Sequence, residues 1–264
     1  MSNRAMIAGV IQSAIDTARR AHPERIPLVG VAGAQGSGKS FQCRAFAAAH
    51  SPSVAHFSLD DVYLTKSERA VLARNAHSLF ATRGPPGTHD LGLAERTLDD
   101  LQAGGPALIP RFDKAADDRA PAAQWTPFSG PATAILFDGW CVGALPLGDL
   151  DPPLNALERD EDADGAWRAA VGAALEGPYQ SFFDRFDAFV YLQAPSFEIV
   201  RRWRGQQEEE MLGRAMNTAE RATLDRFIQH YERITRAMLD GRHRARWVVR
   251  LDEERNVVGV EDRG

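Results

Sequence analysis

The sequence predicts an α/β fold of three layers, a parallel five-stranded core sheet flanked by helices. Five short apolar, β-branched runs (27–32, 54–59, 133–137, 188–192 and 247–251) suit strands buried on both faces. Helical patterns lie between them, so successive strands need crossovers and run parallel. Residues 33–40, GAQGSGKS, fall between the first run and a helix, the context of a phosphate-cradling loop, and mark the P-loop NTPase arrangement.

Taken in order, residues 1–22 place Met6, Val10, Ile11, Ala14 and Ile15 at helical spacing, which predicts a surface helix rather than a signal peptide. The first strand, 27–32, leads through the octapeptide into an Ala-rich helix over 39–50, stopped by Ser51-Pro52-Ser53. The second strand, 54–59, ends at Asp60-Asp61. A helix over 67–79 precedes a Gly/Pro-rich loop at 82–90, and an amphipathic helix over 91–102 stops at Gly104-Gly105. After a short strand at 107–110 and a polar loop, the third buried strand, 133–137, ends at Asp138-Gly139. Residues 150–165 are rich in Pro and acids and read as an exposed insertion, with a solvated loop around 158–164. A helix over 166–183, the fourth strand at 188–192, long helices over 197–212 and 218–240, and the last strand at 247–251 complete a single domain spanning 1–264.

Composition narrows the function. The net charge is −5 with no basic stripe, which disfavours a nucleic-acid partner. No apolar run approaches the ~20 residues that span a bilayer, so no membrane association is expected. Cys43 and Cys141 fit neither a disulfide framework nor paired metal spacing, and point to a cytoplasmic location. Of 31 basic residues only Lys39, Lys66 and Lys114 are lysine. One lies in the phosphate loop, which singles out Lys114 as a second functional candidate.

In such sheets ligands bind beyond the carboxyl ends of the strands. Gly33, Ala34, Gln35, Gly36, Ser37, Gly38, Lys39, Ser40 and Phe41 are expected to hold ATP, with Lys39 on the β- and γ-phosphates. Ser40 and Asp138 are the expected Mg²⁺ ligands. Asp60 and Asp61 can divide the handling of an attacking hydroxyl, one taking its proton and the other orienting it. Arg83 and His89 in RGPPGTHD, and Arg111 and Lys114 in RFDK, gather groups for a small anionic acceptor. Arg201 and Arg204 share a helix face in a lid region at about 197–216 and are candidates to close over the γ-phosphate.

The segments GAQGSGKS, SLDDVYLT, RGPPGTHD, PRFDKAADDR, LFDGWCVGALP, and VYLQAP followed by WRGQQEEEM together resemble the D-glycerate 3-kinase family. That family is a branch of the P-loop kinases that includes uridine kinase, phosphoribulokinase and bacterial pantothenate kinase. The resemblance implies ATP- and Mg²⁺-dependent phosphorylation of D-glycerate, or a similar small hydroxy-acid, giving 3-phosphoglycerate from glycerate. It places the base on Asp60, first Asp of a D-x-[aromatic] element; Val62 occupies the usual aromatic position and Tyr63, a further acceptor-site candidate, follows. Asp138 stands where relatives often have Glu, Phe41 replaces a small hydroxyl residue, and the usual glycines before Arg119 are missing. Two other readings are a kinase of the uridine, pantothenate or sugar-phosphate type, and a regulatory ATP-binding module without catalysis. No guanine-reading NKxD sequence occurs.

Overall fold

The apolar run at 27–32 becomes strand β1 (Leu28–Gly33), all six residues of which are buried. It lies inside the main sheet of the computed structural model, which describes residues 2–264. Around it the chain forms α1 (Asn3–Ala21), α2 (Lys39–Ala49), β2 (Val54–Ser58), α3 (Lys66–Asn75) and α4 (Leu91–Gln102). Four short strands follow: β3 (Ala107–Ile109), β4 (Phe112–Asp113), β5 (Asp118–Arg119) and β6 (Thr126–Phe128). The rest of the chain supplies β7 (Ala134–Gly139), α5 (Ala156–Glu161), α6 (Ala166–Ala174), α7 (Gln180–Phe183), β8 (Ala188–Gln193), α8 (Phe197–Leu212), α9 (Thr218–Leu239), β9 (Trp247–Leu251) and β10 (Val257–Asp262).

The main sheet has the order β10-β9-β8-β1-β7-β2, and its last five strands in that order are parallel, as the buried runs predict. A sixth strand, β10, was not expected. It pairs antiparallel with β9 and alternates between half-buried and exposed residues, so it lacks the continuous apolar run of a central strand. Two core layers cover the sheet. Val29, Val31, Val190 and Leu192 pack with Ile11, Ile15 and Trp203 on one face, and Leu28, Phe57, Phe137 and Tyr191 pack with Leu98, Phe182 and Phe183 on the other. Each such side chain contributes roughly 1.5–3 kcal/mol by leaving water. In α1, Ile7 rather than Met6 joins Val10, Ile11, Ala14 and Ile15 in the buried stripe.

Three further departures matter for the site. The helix expected over 67–79 ends at Asn75, and a 3₁₀ turn at Ser78–Ala81 carries the chain on. The 107–110 strand pairs with β6 outside the main sheet, while β4 and β5 form a small hairpin that carries Lys114 toward the carboxyl end of β2. Residues 150–165 are largely exposed, as expected, but they are not a solvated loop throughout: residues 156–161 are helical and Glu158 is only 1% exposed. Its carboxylate accepts hydrogen bonds from Arg233 Nε and Nη2 at 3.0 and 2.6 Å, and Arg226 pairs with Glu161. The acidic run looked solvated because its arginines lie some 70 residues later, on α9.

Candidate functional site

The phosphate loop joins β1 to α2 with Gly36 and Gly38 at φ +78° and +86°, conformations that L side chains rarely take. A Cβ on Gly36 would come 2.6 Å from that of Trp203, whereas the space beside Gly38 is open. Gly38 precedes helix α2 and offers no side-chain cap, so the helix's first amide donors are free at its positive end. Ser37 Oγ is buried with no partner. Orphan donors around an open loop fit an anionic phosphate, and the cleft above them has a volume of about 340 Å³. Lys39, Ser40, Phe41, Asp60, Tyr63, Arg83, Lys114 and Arg204 all line it.

Asp138 ends β7 behind Ser40 and is fully buried. Its Oδ1 accepts from Ser40 Oγ at 2.7 Å, and its Oδ2 pairs with His56 Nε2 at 2.6 Å. Burial alone would raise its pKa; His56, Lys39 and the Ser40 hydroxyl reverse this and hold it below the usual carboxylate value. A hydroxyl and an ionised carboxylate, backed by a histidine on the far oxygen, are hard oxygen donors that fit Mg²⁺.

Asp60 follows β2, which lies beside β7 with Ser58 opposite Asp138. Its Oδ1 accepts from the Tyr63 hydroxyl at 2.8 Å and its Oδ2 from Lys114 Nζ at 2.6 Å. The cleft walls desolvate it, but Lys114, Lys39 and the Tyr63 bond hold the carboxyl well below its ordinary range. Burial pushes the Tyr63 phenol well up, so it stays a donor. Arg83 is paired with Asp117, which also accepts from Arg69 Nη2 at 2.6 Å. The RGPPGTHD loop bends under Tyr231: the Tyr231 hydroxyl donates to Arg83 O at 2.9 Å, and any Cβ on Gly84 would fall 1.9 Å from that hydroxyl.

Several expected site residues lie elsewhere. His89 is buried below the cleft, hydrogen-bonded to the Tyr179 hydroxyl and stacked on Tyr63, and burial lowers its pKa to about 3. It supports the wall as a neutral ring and does not face the cleft. Asp61 caps the turn after β2 by accepting from Ser58 N at 2.9 Å. With Arg111 it lines an adjoining cavity of about 360 Å³ that shares Ser40, Asp60 and Lys114 with the main cleft. Arg201 is turned away to Asp225 at 2.7 Å, because the acidic partner on α9 lies outside the cleft; Arg204 alone of the pair enters it, beside Glu208. Arg119 braces the floor through Asp90 and Tyr63 O, each at 3.0 Å. Sequence reasoning missed His56, Asp117, Trp140, Tyr231 and Arg255. Asp117 and Arg255 are the two non-glycine residues at positive φ among the described residues, a backbone property with no reliable sequence signal.

No family model matches the chain. It is 32% identical over 227 residues to the uncharacterized kinase mug58 of Schizosaccharomyces pombe, a match that covers 79% of this chain and 80% of that one. It is also 32% identical over 172 residues to the chloroplastic D-glycerate 3-kinase of Arabidopsis thaliana, covering 60% of this chain and 35% of that protein. Among solved structures, the D-glycerate 3-kinase of Cryptococcus neoformans superposes with a TM-score of 0.76 at 25% identity, over 98% of both chains.

Proposed function

The chain belongs to the D-glycerate 3-kinase family of P-loop kinases, and from this premise we propose that it transfers the γ-phosphoryl group of ATP to a hydroxyl of D-glycerate or a similar small hydroxy-acid. The observation that carries the reading is the carboxylate of Asp60, ionised and suspended between Lys114 and Tyr63 at the mouth of the phosphate loop. Lys39 and the free amides that open α2 bind the phosphates. Ser40 and Asp138 hold Mg²⁺, which when bound neutralises charge on the β- and γ-phosphates.

The acceptor is read from what surrounds Asp60. An acceptor carboxylate that draws Lys114 Nζ to itself leaves Asp60 Oδ2 open to the acceptor's own hydroxyl. Asp60 then orients that hydroxyl in line with the phosphate and takes its proton as the new O–P bond forms. Arg83 adds positive charge on the same wall. Trp140 and Tyr231 are 3% and 4% exposed and locked edge to face at 4.8 Å, so they close the pocket rather than offer a flat face to a nucleobase. A small acid therefore fits better than a nucleoside.

Coupled measurement of ADP release with glycerate, pantothenate, uridine and ribulose 5-phosphate tests the assignment. Glycerate is expected to stimulate release most strongly. Stimulation by another acceptor alone would keep the reaction and replace the substrate. No response to any of the four would favour a regulatory ATP-binding module.

A further inference from the structure

The hairpin turn between β9 and β10 reaches the phosphate loop. Arg255 sits in it at φ +67°, a conformation uncommon outside glycine. The turn is fixed from several sides. Asp252 Oδ1 accepts from Glu254 N and Asn256 N at 3.0 and 2.7 Å, and Glu253 O accepts from Trp203 Nε1 at 2.7 Å and Arg202 Nη2 at 3.0 Å. A strained residue held this firmly marks a side chain whose direction matters.

The guanidinium of Arg255 donates through Nε to Gly36 O at 2.6 Å and through Nη2 to Gln206 Oε1 at 3.1 Å. Both acceptors are neutral. One face lies over the Trp203 indole, 4.9 Å from its centroid, and Trp203 is itself fully buried against Gly36. Arg255 also lines the phosphate-loop cleft. Two large apolar side chains, Phe41 and Met211, line the same cleft while 58% and 67% exposed. Exposed apolar groups beside a flat cationic face suit an aromatic ligand surface.

We propose that the Trp203–Arg255 stack is the platform for the purine of ATP, with Phe41 and Met211 flanking it. This rests on the phosphate loop binding ATP. Nε and Nη2 are engaged by Gly36 and Gln206, and the ligand takes the guanidinium face opposite the indole. The C-terminal hairpin is thus part of the nucleotide site, and Arg255 is a positioning residue for the base and not a phosphate clamp.

Calorimetric titration of the full chain with ATP and with inorganic tripolyphosphate separates the base from the phosphates. Arg255→Gly removes the guanidinium while relieving the backbone at φ +67°, so the turn is kept. The Kd for ATP is expected to rise about tenfold, on the scale of one desolvated cation–π contact, with tripolyphosphate bound as before. Arg255→Lys is expected to lose as much, since an ammonium has no planar face. Equal losses for both ligands would put Arg255 on the phosphates and overturn the proposal, as would unchanged ATP affinity or rescue by lysine. Lys39→Ala tests the premise separately: it should weaken both ligands, and retention of both would remove the phosphate-loop assignment itself.

Discussion

Asp138 and Asp60 leave neighbouring strands on the same edge of the sheet, yet they are held in opposite ways. Asp138 is fully buried, with partners on fixed strand and helix positions: Ser40, His56 and Ser58. Asp60 is one-third exposed, and its charge partner is Lys114, whose side chain is 60% exposed in the turn of the β4–β5 hairpin. A buried carboxylate with rigid donors is a fixed ligand. A carboxylate paired with an exposed lysine can exchange that partner for a substrate. The two duties proposed for them, holding Mg²⁺ and receiving a proton, correspond to this difference in burial.

Replacing each acid with its amide breaks the comparison most sharply. Asp60→Asn is expected to lower turnover by about 10²–10⁴-fold, the usual worth of a positioned base. Its ATP affinity and Tm should stay near those of the parent. Asp138→Asn should also lower turnover, but it disturbs a buried hydrogen-bonded cluster as well and should cost about 1–3 kcal/mol of stability. Equal Tm values for the two variants would remove the distinction. Steady-state kinetics with thermal melts checks both.

The exchangeable partner is the next test. Lys114→Met keeps much of the side chain's length and removes its charge. The acceptor KM should rise about 30-fold, near 2 kcal/mol for a charge-assisted hydrogen bond, with a smaller fall in kcat. A fall in kcat with unchanged KM would make Lys114 a partner of Asp60 alone and not of the acceptor.

The same contrast explains what the sequence could show. The phosphate loop, Asp60 and Asp138 were legible because each is set by local chain: a buried strand, then the polar residue at its end. Lys114 was legible from the rarity of lysine. Residues whose roles depend on packing between distant elements were not. His56 looks like any strand residue until the β2–β7 register brings it to Asp138. Arg201 looked like a lid residue until α9 supplied Asp225, and Glu158 looked solvated until Arg233 arrived. The five parallel strands announced themselves as apolar runs, whereas β10 gains its partner only through the hairpin.

Asp61 gives the smallest test, because it stands between the two acids without doing either's work. Burial is the main cause that raises its pKa to about 6; the Ser58 amide opposes this, and Asp138 and Asp60 reinforce it. In the unfolded chain it would ionise near 4. Its neutral form therefore favours the fold below about pH 4, and this contribution is lost as pH rises toward and through 6. Asp61→Asn cannot ionise and should escape that loss. Denaturant melts from pH 4 to 7 should show the variant gaining on the parent by about 1 kcal/mol, allowing for screening at a partly exposed site. A constant difference across that range would mean that Asp61 is already ionised at pH 4, leaving the Asp138–Asp60 edge to carry three charges instead of two.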